Sequence, residues 1–340
     1  MKHVLVIGGG VAGMEASIRL TEMGINVSIV EQSEKLGGKL NRWDTLFPDN
    51  RQASELLQKL KSNLHQHVHK HLNTEVLSIQ KNNRQFSVGL SDGTDLKTDA
   101  ILVSTGFDVF DAQKKEEYGF GIYENVITSA DLEQIFREKG EIKTSSGKTP
   151  KRFGIIHCVG SRDEKAGNTY CSKVCCITAV KQAIEIRERI PDAEVFCFYM
   201  DLRMFGRRFE DIYRDAQVKH GVQFIRGRLS EAFENPDGTV MLKTEDTLLG
   251  KPLKMNVDMV ILMVGMVPSV TSKKLNNILC LKNEEDGFYS FADPHYESGK
   301  SSAPGIFIAG ACTGPKTLEN TISDARSAAL QISDYLKPLN

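Results

Sequence analysis

Two stretches of the chain carry the same order of hydrophobic and polar positions: apolar run, turn, helical pattern, apolar run. The first opens on His3–Ile7, breaks at Gly8-Gly9-Gly10-Val11-Ala12-Gly13, and continues with helical periodicity to about Met23. It returns to an aliphatic run from Asn26 to Val30 that ends on Glu31. In the second, Phe153–His157 predicts a strand, residues from about Cys175 to Arg189 a helix, and Glu194–Tyr199 another strand. A shorter run predicts a strand at Thr74–Ile79. Near-continuous apolar strands alternating with helices point to parallel sheets and an α/β fold. At 340 residues the chain is long enough for two such domains.

The first turn has the spacing Gly8-x-Gly10-x-x-Gly13. Gly8 allows the tight turn, Gly10 lets the backbone approach a pyrophosphate, and Gly13 lets the helix pack closely on the strand. The helix start then offers unpaired N–H groups and a positive dipole end to the phosphates. Glu31, at the end of the second strand, suits a hydrogen-bonded ribose diol and disfavours a 2′-phosphate. A bound dinucleotide is expected here; FAD and NAD both fit the turn, and a purely structural glycine turn is the plainer alternative.

Charge and composition narrow the partners. Forty-three basic against forty-four acidic residues leave a formal charge of −1, which provides no overall attraction to nucleic acid or an anionic membrane. The longest apolar run, Val257 to Val267, is interrupted by Asp258 and is too short to span a bilayer. The first strand starts three residues into the chain, so no signal peptide is expected and the location expected is cytoplasmic.

Seven cysteines then need explaining, because four of them (Cys158, Cys171, Cys175 and Cys176) fall within nineteen residues. Without an export signal, a metal or redox site is a better reading of such clustering than a disulfide framework. Soft thiolates select zinc or iron–sulfur clusters. Adjacent Cys175 and Cys176 fit a zinc knuckle poorly, whereas four thiolates satisfy a [4Fe–4S] cubane. Zinc and metal-free thiols, including a vicinal redox pair, stay open on spacing alone. Cys197 reads as core packing, Cys280 as packing or surface, and Cys312 as packing or a further functional thiol.

Beyond the first turn, Gln32-Ser33-Glu34-Lys35-Leu36-Gly37-Gly38-Lys39 resembles the acid-then-Gly-Gly stretch of two-dinucleotide flavoproteins of the glutathione and thioredoxin reductase type. Ala100-Ile101-Leu102-Val103-Ser104-Thr105-Gly106 resembles their strand-ending motif, and Gly305–Gly310 the strand before their C-terminal flavin contact. This resemblance implies FAD at the N-terminal site, with cofactor contacts at Gly8, Gly10, Val11, Ala12, Gly13, Glu31, Gln32, Gly38, Lys39, Val76, Thr105, Gly106, Gly310 and Ala311. Ala311-Cys312 stands where the superfamily usually has Asp after the last Gly, so ribityl contacts are expected partly from the Asn320-Thr321 helix start. Where the superfamily has a second glycine-rich loop for a nicotinamide nucleotide, this chain has the four cysteines.

Cys158-Val159-Gly160-Ser161-Arg162-Asp163-Glu164, followed by Tyr170-Cys171-Ser172-x-Val174-Cys175-Cys176, resembles the signature of the A-type subunits of heterodisulfide reductases. Gly310–Lys316 is similar to that family's C-terminal segment. The resemblance covers essentially the whole chain. It implies two Rossmann-like dinucleotide-binding domains, the second modified to hold a [4Fe–4S] cluster on Cys158, Cys171, Cys175 and Cys176. It also implies that Lys181 approaches the flavin, where its charge would stabilise an anionic reduced ring; a solvated helix lysine is the plainer reading. The domains expected are 1–110 plus 285–340 for FAD and 111–284 for the cysteine set.

The methanogen-type ferredoxin-like insertions are missing, so the chain resembles the short form found in heterodisulfide reductase-like complexes of sulfur oxidisers. That form implies B- and C-like iron–sulfur subunits and a lipoate-binding protein as partners, electron relay in sulfur metabolism as the function, and a homodimer through the FAD domain. The A-type subunit of the quinone-interacting oxidoreductase of sulfate reducers is also similar. A stand-alone NAD(P)H-dependent flavoprotein reductase, and a scaffold holding both cofactors structurally, are the alternatives from other classes. His65, His67, His69 and His71 lack an interleaved carboxylate or Cys and read as a solvated segment. Arg203, Met204, Phe205, Arg207 and Arg208 read as a solvated helix start or a docking patch.

Overall fold

A computed structural model describes residues 2–138 and 140–337. The chain divides into two units: residues 1–41, 53–108 and 266–340, and residues 42–52 and 109–265.

The first unit is built on a five-stranded parallel sheet in the order Ile306–Ile308, Ala100–Val103, His3–Ile7, Asn26–Val30, His69–His71. Its middle strands are buried along their length, which matches their lack of polar alternation. A three-stranded antiparallel sheet (Val76–Asn82, Gln85–Leu90, Asp95–Thr98) contributes Phe86, Val88 and Leu90 to one core with Leu5, Ile7, Ile101 and Ile308. The helices Val11–Glu22 and Leu318–Leu336 pack together. Arg326 Nε donates to Glu15 Oε1 at 2.6 Å across that pair.

The second unit repeats the plan, with parallel strands Val126–Thr128, Met259–Val264, Arg152–Val159, Glu194–Tyr199 and Gln223–Arg226. An antiparallel sheet of Leu229–Glu234, Val240–Asp246 and Lys251–Val257 accompanies them. The predicted helix is present at Cys175–Arg189. Its buried face (Ala179, Val180, Ala183, Ile186) packs in a core with Phe153, Ile155, Val195 and Cys197.

The boundaries differ from those expected. The chain returns to the first unit at 265/266 rather than near 285, because the helix Val270–Leu279 buries Leu275 and Leu279 in the first core. Residues 42–52 join the second unit. There Thr45 Oγ1 donates to Glu185 Oε1 (2.6 Å) and Phe47 meets the Phe209 ring edge-on. The histidine segment also resolves: His69–His71 is an edge strand. The expected helix at Arg203 begins later, at Phe209.

One buried ion cluster braces the loop between Cys158 and Cys171. Asp163, 2% exposed, accepts from Lys115 Nζ and Arg228 Nη2, both at 2.8 Å. Asp163 and Asn168 also pair as an antiparallel bridge. Burial pushes the Asp163 carboxyl up, but Lys115, the Ala166 N–H and Arg228 outweigh it and hold the pKa below the usual carboxylate value. A depressed folded pKa contributes stability that is present above the unfolded value and lost as pH falls through the folded one. Asp163→Asn is therefore expected to cost about 3 kcal/mol near neutrality. That deficit should shrink as pH drops below ~4; chemical denaturation across pH checks both points, and a pH-independent deficit would contradict the ion-pair account.

Candidate functional site

The first site forms where the Gly8–Gly13 turn meets three other segments. Gly8 has φ +105°, and a Cβ there would lie 2.5 Å from the Ser104 carbonyl oxygen. A Cβ on Gly13 would lie 1.9 Å from the Gly8 carbonyl oxygen, so the helix can pack this closely on the turn only with glycine. Gly37 N–H donates to the Gly9 carbonyl at 2.8 Å and sets Gly38 beside Gly10. Gly310, at φ +80°, lies against Ala12 and Thr321, and Ala311 beside it is buried. The helix Val11–Glu22 has Gly10 at its cap, no side-chain cap and no acid in its first turn. By contrast, Thr128, Ser269 and Thr317 cap the helices that follow them. Bare N–H groups framed by glycine backbone form a cradle suited to a pyrophosphate.

Next to the cradle, Glu31 is buried, accepting from Gly9 N–H at 2.7 Å and from Ser33 N–H and Oγ at 2.9 and 2.6 Å. It borders a cavity of about 240 Å3 whose lining includes Gly8, Gln32, Thr74, Val76 and Thr105. Gln32 Oε1 accepts from Thr271 Oγ1 at 2.8 Å, so the cavity wall includes a helix start that the sequence did not flag. Lys39 Nζ lies 3.6 Å from Asp108 Oδ1, and Gly106 takes φ +67° with open space around it. Cys312 is a buried packing thiol: its Sγ lies 3.2 Å from the Ala309 carbonyl oxygen, and burial pushes it up to about 12. A thiol kept protonated is a poor nucleophile.

The second site lies at the end of the strand Arg152–Val159. The register shifts between Ile156 and Val159 against the neighbouring strand, and Cys158 takes φ +59°, a conformation that a non-glycine residue holds only under constraint. Gly160 and Arg162 follow with positive φ. This bulge carries Cys158 to the start of the helix Cys175–Arg189, where Cys175 shares hydrogen bonds with both Cys158 and Cys176. That helix also begins with no side-chain cap and no acid in its first turn. Cys176 Sγ accepts from Arg203 N–H at 3.5 Å.

The three thiols polarise one another. Cys176 is lowered to about 4, chiefly by its hydrogen bond with Cys175 and further by the adjacent His157. Cys158 is lowered to about 7 by Cys175 against burial, while Cys175 is raised by the hydrogen bonds it shares with both. Cys171 is half-buried, its sulfur accepting from Lys173 N–H at 3.3 Å. Among the described residues no group of three or more His, Cys, Asp or Glu is disposed as a metal site. Of the expected four sulfurs, Cys175 neighbours both Cys158 and Cys176. Around them, Ser161 Oγ, both His157 ring nitrogens and Arg162 Nη1 are buried without protein partners. Convergent thiols, unsatisfied polar atoms and a bare helix start suit a thiolate-bound group. Cys197 is a core residue whose thiol is raised by burial, and Cys280 is exposed.

Lys181 is not a solvated helix lysine. It is 4% exposed, with Nζ 2.7 Å from Glu133 Oε1 and 3.1 Å from Glu185 Oε2. Gln182 Nε2 also reaches Glu133, at 3.0 Å. Desolvation and the neighbouring Glu133 charge raise Glu185 despite Lys181. Periodicity could place Lys181 on the helix but gave no sign of Glu133 or Thr45, which come from elsewhere in the sequence. Phe205 is exposed, as are Arg203, Arg207 and Arg208.

Comparison with known proteins matches residues 1–162 and 177–331 to the pyridine nucleotide-disulphide oxidoreductase family. The unmatched stretch, 163–176, holds Cys171, Cys175 and Cys176. Among curated proteins, the chain is 43% identical over 240 residues to the A-type subunit of the H(2):CoB-CoM heterodisulfide,ferredoxin reductase of Methanothermobacter thermautotrophicus, covering 69% of this chain and 36% of that protein. It is 31% identical over 421 positions to the second A-type iron-sulfur subunit of the CoB–CoM heterodisulfide reductase of Methanopyrus kandleri, covering 98% and 64%. The chain thus spans about one to two thirds of the length of these relatives. Among solved structures, thioredoxin reductase from T. acidophilum superposes with TM-score 0.68 at 18% identity, covering 98% of this chain and 99% of that one.

Proposed function

This chain belongs to the pyridine nucleotide-disulphide oxidoreductase family, and from that premise we propose that it is the FAD- and [4Fe–4S]-bearing electron-transfer subunit of a heterodisulfide reductase-like complex acting in sulfur metabolism. It is a flavin-dependent oxidoreductase by family and by its heterodisulfide reductase relatives. The observation that carries the finer reading is the replacement of a second phosphate loop by convergent thiols. Cys158, Cys175 and Cys176 meet at an uncapped helix start, inside or beside the one internal stretch that the family pattern leaves unmatched.

When bound, FAD would supply two-electron chemistry and the cluster one-electron chemistry. The chain's own groups would bind and position them. Backbone N–H groups of the Gly8–Gly13 cradle would hold the pyrophosphate, and Glu31 would accept from the ribose hydroxyls. Val76, Gln32 and Thr105 would line the adjoining cavity, and Gly106, Gly310 and Ala311 would let backbone approach the cofactor closely. Lys39 would add a cation near the cradle. Cys158, Cys175 and Cys176 would hold the cluster, with Cys171 as the fourth ligand drawn from the adjacent loop. Lys181, buried with Glu133 and Glu185, is proposed as the charged group acting on the flavin.

Partners proposed for the complex are B- and C-like iron–sulfur subunits and a lipoate-binding protein, with homodimerisation through the FAD unit. Co-purification with a tagged chain tests them. A cytoplasmic location is proposed with them; no helix among the described residues is long and apolar enough to cross a membrane. The intact second parallel sheet keeps a stand-alone NAD(P)H-dependent reductase as the second reading, which rapid bleaching of the flavin by NADH alone would favour.

The deciding measurement is anaerobic purification with iron, sulfide and flavin quantified. About four irons, four sulfides and one FAD per chain are expected. FAD without iron or sulfide, even after cluster reconstitution, would refute the relay reading.

A further inference from the structure

Arg162 sits at the junction of the two backbone segments that present Cys158 and Cys176. Its Nη2 donates to Asp201 Oδ2 at 2.7 Å. Two residues beyond Asp201, the Arg203 N–H donates to Cys176 Sγ at 3.5 Å. On its own side, Arg162 follows Cys158 by four residues, takes φ +53°, and donates its backbone N–H to the Tyr170 carbonyl at 2.8 Å, next to Cys171. The guanidinium acts on the Cys158 sulfur through its charge. Its side chain is 20% exposed, and Nη1 is fully buried with no protein partner. A buried guanidinium N–H left unsatisfied carries a desolvation cost unless something negative faces it.

We infer that Arg162 is a positioning and charge-compensating residue of the thiol site: its guanidinium, held by Asp201, supplies positive charge beside Cys158 that favours the reduced, more negative state of a cluster bound there. The inference rests on the iron–sulfur reading above. Reduction adds one negative charge to the thiolate-bound group, so a nearby, poorly solvated cation raises its potential, and an anion on that cation offsets part of the effect. Arg suits the role better than Lys because one planar fork can address Asp201 and the sulfur side together. Asp201 is half-exposed and lies 3.7 Å from Arg226 as well, so removing its charge leaves Arg162 in place but less neutralised.

Two variants of the full chain, purified anaerobically, give opposite predictions in an EPR-monitored redox titration. Arg162→Gln should lower the midpoint potential, making reduction at least tenfold less favourable, ~59 mV for one electron, with Arg162→Lys recovering most of the shift. Asp201→Asn should raise it. A structural loosening of the loop would move both variants the same way. Shifts of equal sign, or none in either, overturn the inference. Should Arg162→Gln lose its iron, Asp201→Asn decides alone: an upward shift supports the role, and no shift or a downward one overturns it. Wild-type protein without iron or sulfide would instead remove the reading on which this rests.

Discussion

Cys176→Ala is expected to abolish iron and sulfide binding and the reduced-cluster EPR signal while leaving flavin content at the wild-type level. Cys176 is the most strongly activated thiol of the trio, lowered to about 4, and thiolates rather than thiols bind metal. Its Sγ accepts the Arg203 N–H and neighbours His157, so alanine removes the charge that these groups face. The thiol of Cys197 gives the control. It is fully buried on the neighbouring strand, and Cys197→Ala should lower stability by a cavity-sized ~1–3 kcal/mol while keeping iron. Wild-type iron content in Cys176→Ala would remove this residue from the ligand set. Loss of iron in both variants to the same degree would mean that the signal reports folding rather than ligation.

The opposite pattern is expected from Gly13→Ala: flavin lost, iron kept. The added methyl would lie 1.9 Å from the Gly8 carbonyl oxygen and 2.8 Å from Ser104 Oγ. Backbone on one side cannot rotate away as a side-chain tip can, so either the helix lifts or the turn opens. Such overpacking costs ~1–3 kcal/mol. It also displaces the N–H groups on which a pyrophosphate depends, so flavin occupancy should fall at least tenfold (~1.4 kcal/mol of binding). Absorbance at the flavin band after gel filtration, read beside iron content, checks both halves. The thiol site belongs to the other unit with its own core, which is why iron should survive. A fully flavinated Gly13→Ala would show that Gly13 has no part in the cradle.

These two variants also separate what could be read early from what could not. The Gly8–Gly13 turn, Glu31 and the strands His3–Ile7 and Asn26–Val30 were legible because each depends on neighbours within about thirty residues. Turn geometry needs particular glycines, buried parallel strands need unbroken apolar runs, and the acid follows the second strand directly. The same holds for the helix Cys175–Arg189, found at the residues its periodicity indicates. The predicted Thr74–Ile79 strand is present, displaced to Val76–Asn82, since edge-strand ends are set by pairing rather than by composition.

Other features depended on residues far apart in sequence. Lys181 reads as a solvated lysine until Glu133, 48 positions away, is placed 2.7 Å from its Nζ. Asp163 and Lys115, Arg162 and Asp201, and Thr45 and Glu185 are likewise paired only by the fold. The bulge that holds Cys158 at φ +59° comes from register against Met259–Val264, about a hundred residues on. No local pattern announces the crossings at 265/266 or around 42–52, because which unit a segment joins is decided by whose core its side chains fill. By itself, then, the sequence determined the elements, the cradle and the set of cysteines, all consequences of short-range sterics and periodicity. Only the tertiary structure decided that Cys175 neighbours Cys158, that Lys181 is buried between carboxylates, and that Arg162 pairs with Asp201. Burial and electrostatic pairing are properties of neighbours in space, and these neighbours are distant along the chain.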